Sequence, residues 1–438
     1  MIRPAPPITR AYRLAFIATA AALALGSDVS RAAEKPIATA RSLGLAEAFR
    51  MAVARSEDQA MRGELLEAAA AQLESARGAL FPRISLKASE LVQQAQPSNA
   101  DPSLKSFSPS RRADIHFALH QPLFAGFREF AAIQGAGAQG DSLRLQRQRA
   151  KELLYLDVAR TYVDLLFAQS EIRVRTSLVD LTRKRVDELK SRERIGRSRK
   201  SEVLAAKSQL AGLEAAVSEA VGGEKTAQER LRFLTGLTED VHLDPLPMPM
   251  APATEALLSK ASARSDVASK RAELVAAEAA ERFAAAGHWP TLSLDANAYP
   301  YREGLQKDVH WDALLSADFP LYAGGAVSAD VRAARARRRA GEQSLHLTER
   351  QAELEIRSAA TDVTSSLTTV GALESAAELA LQNVEAQNAD YRQGLVTNLD
   401  VLGALDSYRQ ARLRLDQAKH GAVLLGVALG VACGSVPE

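Results

Sequence analysis

The sequence predicts an α+β fold with an internal duplication, in which each half joins a β-hairpin to very long helices. Three observations support this prediction: a pentapeptide that occurs twice, two long runs without proline, and segments in which apolar and polar residues alternate. Pro122-Leu-Phe-Ala-Gly126 returns as Pro320-Leu-Tyr-Ala-Gly324, 198 residues later. A period of this length far exceeds that of the short-repeat solenoids, so each copy must be a supersecondary structure of its own.

Further residues match between the two halves of the chain. Those after the pentapeptide match at the same offset of 198 residues, and those before it match at an offset of 208. Gly196 falls on Gly394 at an offset of 198, and the segment 81–86 falls on 289–294 at an offset of 208. These matches divide the chain into parts. We predict the following parts: a signal peptide at 1–32, a first repeat at 33–240, a Pro-rich linker at 241–253 and a second repeat at 254–438.

The N-terminal 32 residues have the layout of a secretory leader. Arg3, Arg10 and Arg13 precede a 12-residue apolar run at 14–25, which is followed by small residues up to Ala32. This order is typical of a signal peptide that is removed on export. A membrane anchor is the alternative reading of the same residues. However, 12 residues are too few to cross about 30 Å of hydrocarbon.

The remaining composition argues against several classes of protein. Removal of four arginines and one aspartate with the leader lowers the formal charge from +2 to −1, which argues against a nucleic-acid partner. Cys433 is the only cysteine, so the chain cannot form an internal disulfide. The sequence contains no catalytic triad motif, zinc motif or glycine-rich nucleotide motif, so we expect neither an enzyme nor a cofactor.

Long helices are predicted where proline is absent. Residues 123–244 and 321–436 contain no proline, and each run is interrupted once by a short polar break, at 194–198 and at 393–398. In the helices predicted before the breaks, apolar residues at 154–165 and 367–391 recur at spacings of three, four and seven, which is typical of coiled coils. The predicted helices are 41–80, 127–192 and 200–236 in the first copy, and 254–287, 325–391 and 398–430 in the second.

Four alternating segments lie between the helices and are predicted to be strands. In the segment 311–319 one face is apolar, whereas the other carries Asp312 and Ser316. The segment 113–120 is built in the same way, with two histidines on its polar face. This period of two is the mark of a strand with two different faces. The predicted hairpin partners of these strands are 84–92 and 292–299, and the connecting loops are 93–112 and 301–308.

The four strands are long enough to cross a membrane at a tilt, with lipid on one face and water on the other. Four strands cannot close a barrel, because the smallest bacterial barrels have eight. Either they sit as hairpins on a soluble core, or several chains contribute to one barrel.

Taken in order, these features resemble the TolC-like outer-membrane efflux family, also called the outer-membrane factors. The resemblance rests on the leader, the duplication, an aromatic-Pro-x-aliphatic-Ser-Leu strand entry, a strand-exit motif, and the turn that runs from Tyr391 to Leu402. The strand-exit motif consists of Pro122 and Gly126 in the first copy and Pro320 and Gly324 in the second. The resemblance implies a homotrimer, in which four strands per chain make one 12-stranded outer-membrane β-barrel. The helices of the trimer would form a periplasmic coiled-coil tunnel, and closure of the barrel would pair every strand edge.

The resemblance also implies a function. The chain would be the passive exit duct of a tripartite efflux or type I secretion system, in the outer membrane of a Gram-negative bacterium. Its expected partners are further copies of itself, a periplasmic adaptor (membrane fusion) protein, an inner-membrane pump of the RND, ABC or MFS type, and outer-membrane lipid, but no nucleic acid. The alternative is a non-channel periplasmic coiled-coil adaptor or scaffold. A drug, a metal, a small organic molecule and a polypeptide all stay open as cargo.

A gate is implied where the helices turn at their periplasmic tips. Tyr391 and Asp400 match the tip motif of the family, and Ser201 and Glu202 occupy the equivalent turn of the first copy. The resemblance predicts a bond from the Tyr391 hydroxyl to Glu202 and an acidic ring of three Asp400 side chains. Two positions depart from the family pattern, which has an arginine and a second aspartate there: Val396 and Gly403. The alternative for Tyr391 is that it only ends an apolar stripe of its helix.

The same two turns are the expected docking sites of the adaptor. The residues predicted to dock are Gly196, Arg197, Arg199, Lys200, Gly394 and Thr397. A solvated turn explains the basic residues among them equally well. On the polar strand face, His116 and His120 either line a wet lumen or form a metal ring in the trimer.

Overall fold

The computed structural model describes residues 42–94, 110–239, 241–304 and 306–437. The predicted leader at 1–32 and most of the predicted loop at 93–112 lie outside these residues. The first half contains β1 (Ser42–Leu43), α1 (Leu45–Arg55), α2 (Glu57–Gly78), β2 (Arg83–Val92), β3 (Arg111–Ala125), α3 (Arg128–Arg194) and α4 (Lys200–Thr235). The second half contains β4 (His242–Leu243), α5 (Thr254–Leu258), α6 (Ser265–Ala285), β5 (Thr291–Arg302), β6 (Trp311–Asp318), α7 (Ala326–Gln393) and α8 (Asn398–Ala432). Short 3₁₀ turns at Ala261–Ala263 and Ala286–His288 flank α6.

The long helices confirm the prediction from the proline-free runs. α3 and α7 contain 67 and 68 residues, which corresponds to about 100 Å for each helix at 1.5 Å per residue. α4 and α8 return from them after turns of a few residues, as the polar breaks predicted. Of the helices in the described part of the chain, none has both the length and the apolar character required to cross a membrane.

The other two predicted helices are each broken, which corrects the expectation of continuous helices. The helix predicted at 41–80 is divided at Ser56, whose backbone is extended and whose hydroxyl accepts a hydrogen bond from Gln59 N–H at 3.3 Å. A serine in this role starts a new helical segment, because its side chain satisfies a free amide at the helix start. The helix predicted at 254–287 is divided around Arg264, whose backbone is also extended. Ser56 and Arg264 are related by the offset of 208 that relates the flanking sequences.

All four predicted strands are confirmed, and they form one antiparallel sheet in the order β2-β3-β5-β6. The two hairpins pair with each other through β3 and β5, so β2 and β6 are the edge strands of the sheet. β5 continues through Arg302 into the loop predicted at 301–308. Register shifts interrupt the β3–β5 pairing between Ile115 and Phe117 and again between Pro122 and Phe124.

The sheet has one apolar face and one polar face. On the apolar face Phe117 lies opposite Leu86, and Leu315 lies opposite Leu294. The polar face carries side-chain pairs that bridge neighbouring strands: Ser89 with Asp114 at 2.5 Å, Asn297 with Asp312 at 2.9 Å, and His120 with Asp295 at 2.7 Å. Such a sheet requires an apolar environment on one side and water or polar groups on the other.

The two hairpins share one register. Ile84 lies opposite Leu119 in the first hairpin, and Leu292 lies opposite Ala317 in the second. The first members of these pairs are 208 residues apart and the second members 198 residues apart. The two offsets of the sequence therefore relate contacting pairs as well as single residues.

A large buried cluster surrounds the middle of α3, where α1, α4, β1 and β4 pack around it. Tyr162 lies fully buried in this cluster. Its hydroxyl oxygen is 2.6 Å from the carbonyl oxygen of Leu43 and 2.8 Å from that of Asp244. Leu43 belongs to β1, and Asp244 follows β4, which pairs with β1 in parallel. Tyr162 therefore joins the long helix to this strand pair.

The segment predicted as a Pro-rich linker, 241–253, contains β4 and then runs without helix up to α5. It packs against α8 at Gly426, where an added Cβ atom would lie 2.7 Å from the Cβ atom of Pro249. A glycine is required at this position because any side chain would collide with the proline.

Candidate functional site

The helical tips are the turns that join α3 to α4 and α7 to α8. A glycine with left-handed backbone reverses each turn, Gly196 at a φ of 74° and Gly394 at a φ of 81°. Residues with side chains rarely adopt this conformation, so glycine is favoured at both positions. The two turns are therefore built alike, as their shared sequence offset predicted.

The predicted acidic residues of the tips cap the helices that follow them. The carboxylate of Asp400 accepts hydrogen bonds from the Thr397 hydroxyl at 2.6 Å and from Thr397 N–H at 2.8 Å. The carboxylate of Glu202 accepts bonds from the Ser198 hydroxyl at 2.5 Å and from Arg199 N–H at 3.4 Å. The bonds from Thr397 hold the pKa of the Asp400 carboxyl below its usual value. Asp400 is therefore an anion at neutral pH.

A buried arginine that the sequence analysis did not single out joins three helices at the tip. Arg185 of α3 is 6% exposed, and its guanidinium carbon lies 4.0 Å from the centroid of the Tyr391 ring in α7. Its Nε donates to Asn398 Oδ1 of α8 at 3.0 Å, and its Nη1 donates to Glu188 at 2.9 Å. Arg192 lies 4.9 Å from the same ring and also donates to Glu188. These five residues are called the arginine clasp below.

The resemblance led us to expect a bond from the Tyr391 hydroxyl to Glu202, but the structure does not bring these two side chains together. Among the described residues no hydrogen bond of the Tyr391 hydroxyl is found, and the ring instead receives two guanidinium groups. Val396, which stands where the family has an arginine, packs against the apolar cluster around this ring. One signal in the sequence pointed to the clasp. Arg185, Glu188 and Arg192 are spaced i, i+3 and i+7, which places them on one face of a helix.

The outer surfaces of the turns are both basic and apolar. Arg197, Arg199, Lys200 and Ser201 are exposed, as is Thr397 in the second turn. Three large apolar side chains are exposed beside them, which the sequence analysis missed: Ile195, Leu395 and Leu399. Exposed apolar side chains next to basic ones are typical of surfaces that bind another protein.

The strand-exit motifs stand where a strand gives way to a long helix, but their surroundings differ. At Gly126 an added Cβ atom would lie 2.7 Å from the Cβ atom of Trp289, so the motif of the first copy is tightly packed. At Gly324 the described residues place no atom within 4 Å of such a Cβ atom. Both glycines have left-handed backbone, with φ values of 64° and 59°. Pro122 lies inside β3, whereas Pro320 lies beyond the end of β6.

The two histidines of β3 each contact a carboxylate. His116 Nδ1 is 2.8 Å from Asp114, and His120 Nδ1 is 2.7 Å from Asp295. Asp295 reaches His120 because β3 and β5 pair in antiparallel register, a contact between residues 175 positions apart. Across the described ranges, no group of three or more His, Cys, Asp or Glu side chains is arranged to hold a metal ion.

The chain is similar to known outer membrane proteins in both sequence and fold. The family profile described as "Outer membrane efflux protein" matches residues 50–237 and 257–432. The outer membrane protein TolC of Vibrio cholerae is 25% identical over 387 residues, which cover 85% of this chain and 86% of that protein. The fold is similar to that of the outer membrane protein VceC of Vibrio cholerae, with a TM-score of 0.78, 20% identity, and coverage of 90% of this chain and 97% of that one. It is also similar to the MtrE outer membrane channel of Neisseria gonorrhoeae in its open state, with a TM-score of 0.74, 18% identity, and coverage of 89% of both chains.

Proposed function

The chain belongs to the outer membrane efflux protein family, and from this premise we propose that three copies of it assemble into one passive duct. The protein resides in the outer membrane, extends into the periplasm and serves as an exit duct for efflux; it is not an enzyme. The alternative of a non-channel coiled-coil adaptor or scaffold is not favoured, since both halves of the chain match the family of efflux proteins.

The observation that carries the proposed assembly is the two-faced sheet with free edges. Its apolar face requires lipid and its polar face requires water, but within the described chain the edge strands β2 and β6 each lack a second partner. Unpaired backbone groups are not tolerated in hydrocarbon, so the edges must pair with further copies of the chain. Three copies give twelve strands in one closed barrel. The helices of the three copies would continue the barrel as a tunnel.

Membrane fractionation tests this proposal. We expect the protein in the outer membrane, as a complex that migrates as a trimer in dodecyl sulfate without heating and as a monomer of 47.0 kDa or less after boiling. A monomer in the soluble periplasmic fraction would contradict the proposal and favour the scaffold.

The gate of the duct is proposed to be the pair of turns at the helical tips. The arginine clasp holds α7 and α8 against α3, which keeps the second turn close to the first. Asp400 supplies one carboxylate per copy, and three copies around one axis would attract cations and repel one another. The clasp is therefore proposed as the constraint on opening, and the Asp400 side chains as the charge that cargo meets on entry.

The turns are further proposed to dock a periplasmic adaptor, which links the duct to an inner-membrane pump of the RND, ABC or MFS type. Support comes from the exposed side chains there, since Ile195, Leu395 and Leu399 would bury apolar area against a helical hairpin. The neighbouring cations Arg197 and Lys200 would add electrostatic steering.

Cysteine crosslinking in cells tests the docking proposal. Arg197→Cys and Leu395→Cys occupy equivalent exposed positions, because they are 198 residues apart. Both are expected to crosslink to the adaptor when the native Cys433 is replaced by alanine. Ser218→Cys, on an exposed face of α4 away from the turn, is the matched control. Crosslinks from Ser218 but not from the turn positions would exclude tip docking.

A further inference from the structure

Two edge strands meet wherever two copies of the chain adjoin in the proposed trimer. We propose that β6 of one copy pairs with β2 of the next in the register that β3 and β5 use within a single chain. This inference rests on the proposed assembly, but it specifies which residues come together.

The internal repeat supplies the register. β6 corresponds to β3 at an offset of 198, and β5 corresponds to β2 at an offset of 208. These correspondences hold for contacts, because the β2–β3 hairpin and the β5–β6 hairpin pair identical repeat positions: Ser89 with Asp114, and Asn297 with Asp312. The pairing of β3 with β5 inside one chain is therefore the equivalent of the pairing of β6 with β2 between chains.

The contacts between copies follow from this equivalence. Ala118 lies opposite Asn297, which corresponds to Ser316 opposite Ser89 of the partner subunit. His120 lies opposite Asp295, which corresponds to Asp318 opposite Lys87 of the partner subunit. The second contact joins a carboxylate to an ammonium group on the polar face. It repeats the His120–Asp295 contact with the strands of the basic and the acidic side chain exchanged.

The end of β6 lacks the partner that the end of β3 possesses. β3 continues to Ala125 because its last residues pair with β5, whereas β6 stops at Asp318. The equivalent residues beyond Asp318 have no strand pairing in the described chain, and Leu321 and Tyr322 are 95% and 90% exposed. In the proposed register these residues meet the start of β2 in the neighbouring copy. They become the last part of a longer β6.

The strand-exit glycines give independent support. Gly126 packs closely against Trp289. At the two offsets, Gly126 corresponds to Gly324 and Trp289 corresponds to Phe81, so the equivalent contact joins Gly324 to Phe81 of the partner subunit. Among the described residues of one chain, no atom lies within 4 Å of a Cβ atom added at Gly324, and Phe81 is 66% exposed. Gly324 and Phe81 therefore each lack, within one chain, the neighbour that a second copy would supply.

The helices next to the sheet extend the same interface. Ser142 of α3 touches Ser269 of α6, with their hydroxyl oxygens 3.0 Å apart. At the two offsets, Ser142 corresponds to Ala340 of α7 and Ser269 corresponds to Met61, so the equivalent contact joins Ala340 to Met61 of the partner subunit. Met61 is exposed within the single chain, although it is large and apolar. The equivalence accounts for this exposure through burial by the next copy.

Disulfide formation in isolated outer membranes tests the register in the full chain, with Cys433→Ala as background. Ser89→Cys with Ser316→Cys should give dimers and closed trimers on a denaturing gel without reductant, because directly opposite Cα atoms lie about 4.5 to 5.5 Å apart, within reach of a disulfide. Within one chain the two positions lie on opposite edges of the sheet, at least about 14 Å apart because three strand spacings of about 4.8 Å separate them, so no bond can form there. Ala118→Cys with Asn297→Cys should instead give a bond inside one chain and no band of higher mass.

Two neighbouring pairs serve as register controls. Ser89→Cys with Leu314→Cys, and Ser89→Cys with Asp318→Cys, are each displaced by two residues, which places the Cα atoms about 7 to 8 Å apart, and should crosslink at least about tenfold less. Stronger crosslinking by either displaced pair, or none by any pair while the trimer persists on gels without heating, would overturn the register and leave the assembly standing. Loss of the trimer itself in the unsubstituted protein would instead contradict the proposed function.

A charge exchange provides a second test that needs no cysteine. Lys87→Asp and Asp318→Lys should each lower the temperature at which the trimer dissociates in dodecyl sulfate. The double variant should restore it, because the opposite charges again face each other between copies. If the double variant dissociates at or below the temperatures of the single variants, the two side chains do not face each other.

Discussion

At the scale of single residues, Tyr162 shows how one hydroxyl fixes the middle of the molecule. The hydroxyl lies within hydrogen-bond distance of two carbonyl oxygens that belong to the β1–β4 region. Burial raises the pKa of Tyr162 to about 12. The group is therefore protonated, and available as a donor, throughout the physiological range of pH.

The first prediction concerns this hydroxyl. Tyr162→Phe should lower the free energy of unfolding by about 1 to 2 kcal/mol, because the one hydroxyl proton that the two buried carbonyl oxygens share is lost. Urea unfolding of the purified protein, followed by circular dichroism, measures the difference. Tyr155→Phe is the matched control, since Tyr155 lies in the same cluster but its hydroxyl has no hydrogen bond to any described residue. Equal destabilisation by both substitutions would assign the effect to packing rather than to the hydroxyl.

The second prediction concerns Asp400, whose pKa is lowered by the Thr397 bonds. A carboxyl with a lowered pKa keeps its charge as the pH falls through its usual pKa of about 3.9, and loses it only below that value. Block of the open duct by multivalent cations should therefore persist at about pH 4 and disappear under more acidic conditions. Thr397→Val removes the hydroxyl bond and should move the loss of block to higher pH. Single-channel recordings across this range measure both, and a pH dependence unchanged in Thr397→Val would show that another group binds the cation.

At the scale of elements, the sheet is the part of the fold that the sequence predicted best. A strand with two different faces shows its period of two directly in the residue order, so the sequence predicts all four strands. Their order was not predictable in this way, because pairing of β3 with β5 joins residues far apart in the chain. The contact of His120 with Asp295 depends on that order and was missed for the same reason.

The helices were predicted less completely. Proline-free runs set the limits of α3 and α7, but the break at Ser56 lies inside a run whose apolar spacing continues on both sides. Ser56-Glu-Asp-Gln59 has the spacing of a capping box, so this break had a signal in the sequence. For the arginine clasp, the spacing of Arg185, Glu188 and Arg192 places them on one face of a helix, but only the approach of α7 and α8 to α3 shows that Arg185 is buried beside Tyr391.

The third prediction tests the two faces of β6. Leu315→Arg places a charge on the apolar face and should destabilise the protein by about 2 to 4 kcal/mol if the position lies near the middle of the bilayer. Ser316→Arg, one residue further along the strand, points to the polar face and should have a much smaller effect. The yield of folded protein in the outer membrane and the urea midpoint measure both. Equal losses from the two substitutions would contradict a sheet with lipid on one side only.

At the scale of the whole molecule, the proposed gate depends on two long helices and on the contacts that hold their tips. α3 and α7 contain 67 and 68 residues, so each places its tip about 100 Å from its other end. The tip cluster includes Val203, Val384 and Val401 beside the Tyr391 ring. Apolar packing of this kind allows helices to slide, whereas stacked guanidinium groups select one arrangement. The closed state should therefore depend more on the clasp than on the cluster.

The fourth prediction separates the Tyr391 ring from its hydroxyl. A cation–π contact contributes about 1 kcal/mol, so its loss in each of three copies would shift the equilibrium between closed and open states by about 100-fold. Tyr391→Leu and Arg185→Leu should thus raise the resting conductance of the channel in planar bilayers. Tyr391→Phe should leave it within about twofold of the original, because the ring that receives Arg185 and Arg192 is kept. Tyr408→Leu is the control, since Tyr408 packs against the same cluster but has no guanidinium over its ring among the described residues. An increase in Tyr391→Phe equal to that in Tyr391→Leu would show instead that the hydroxyl holds the gate, as the family resemblance first implied.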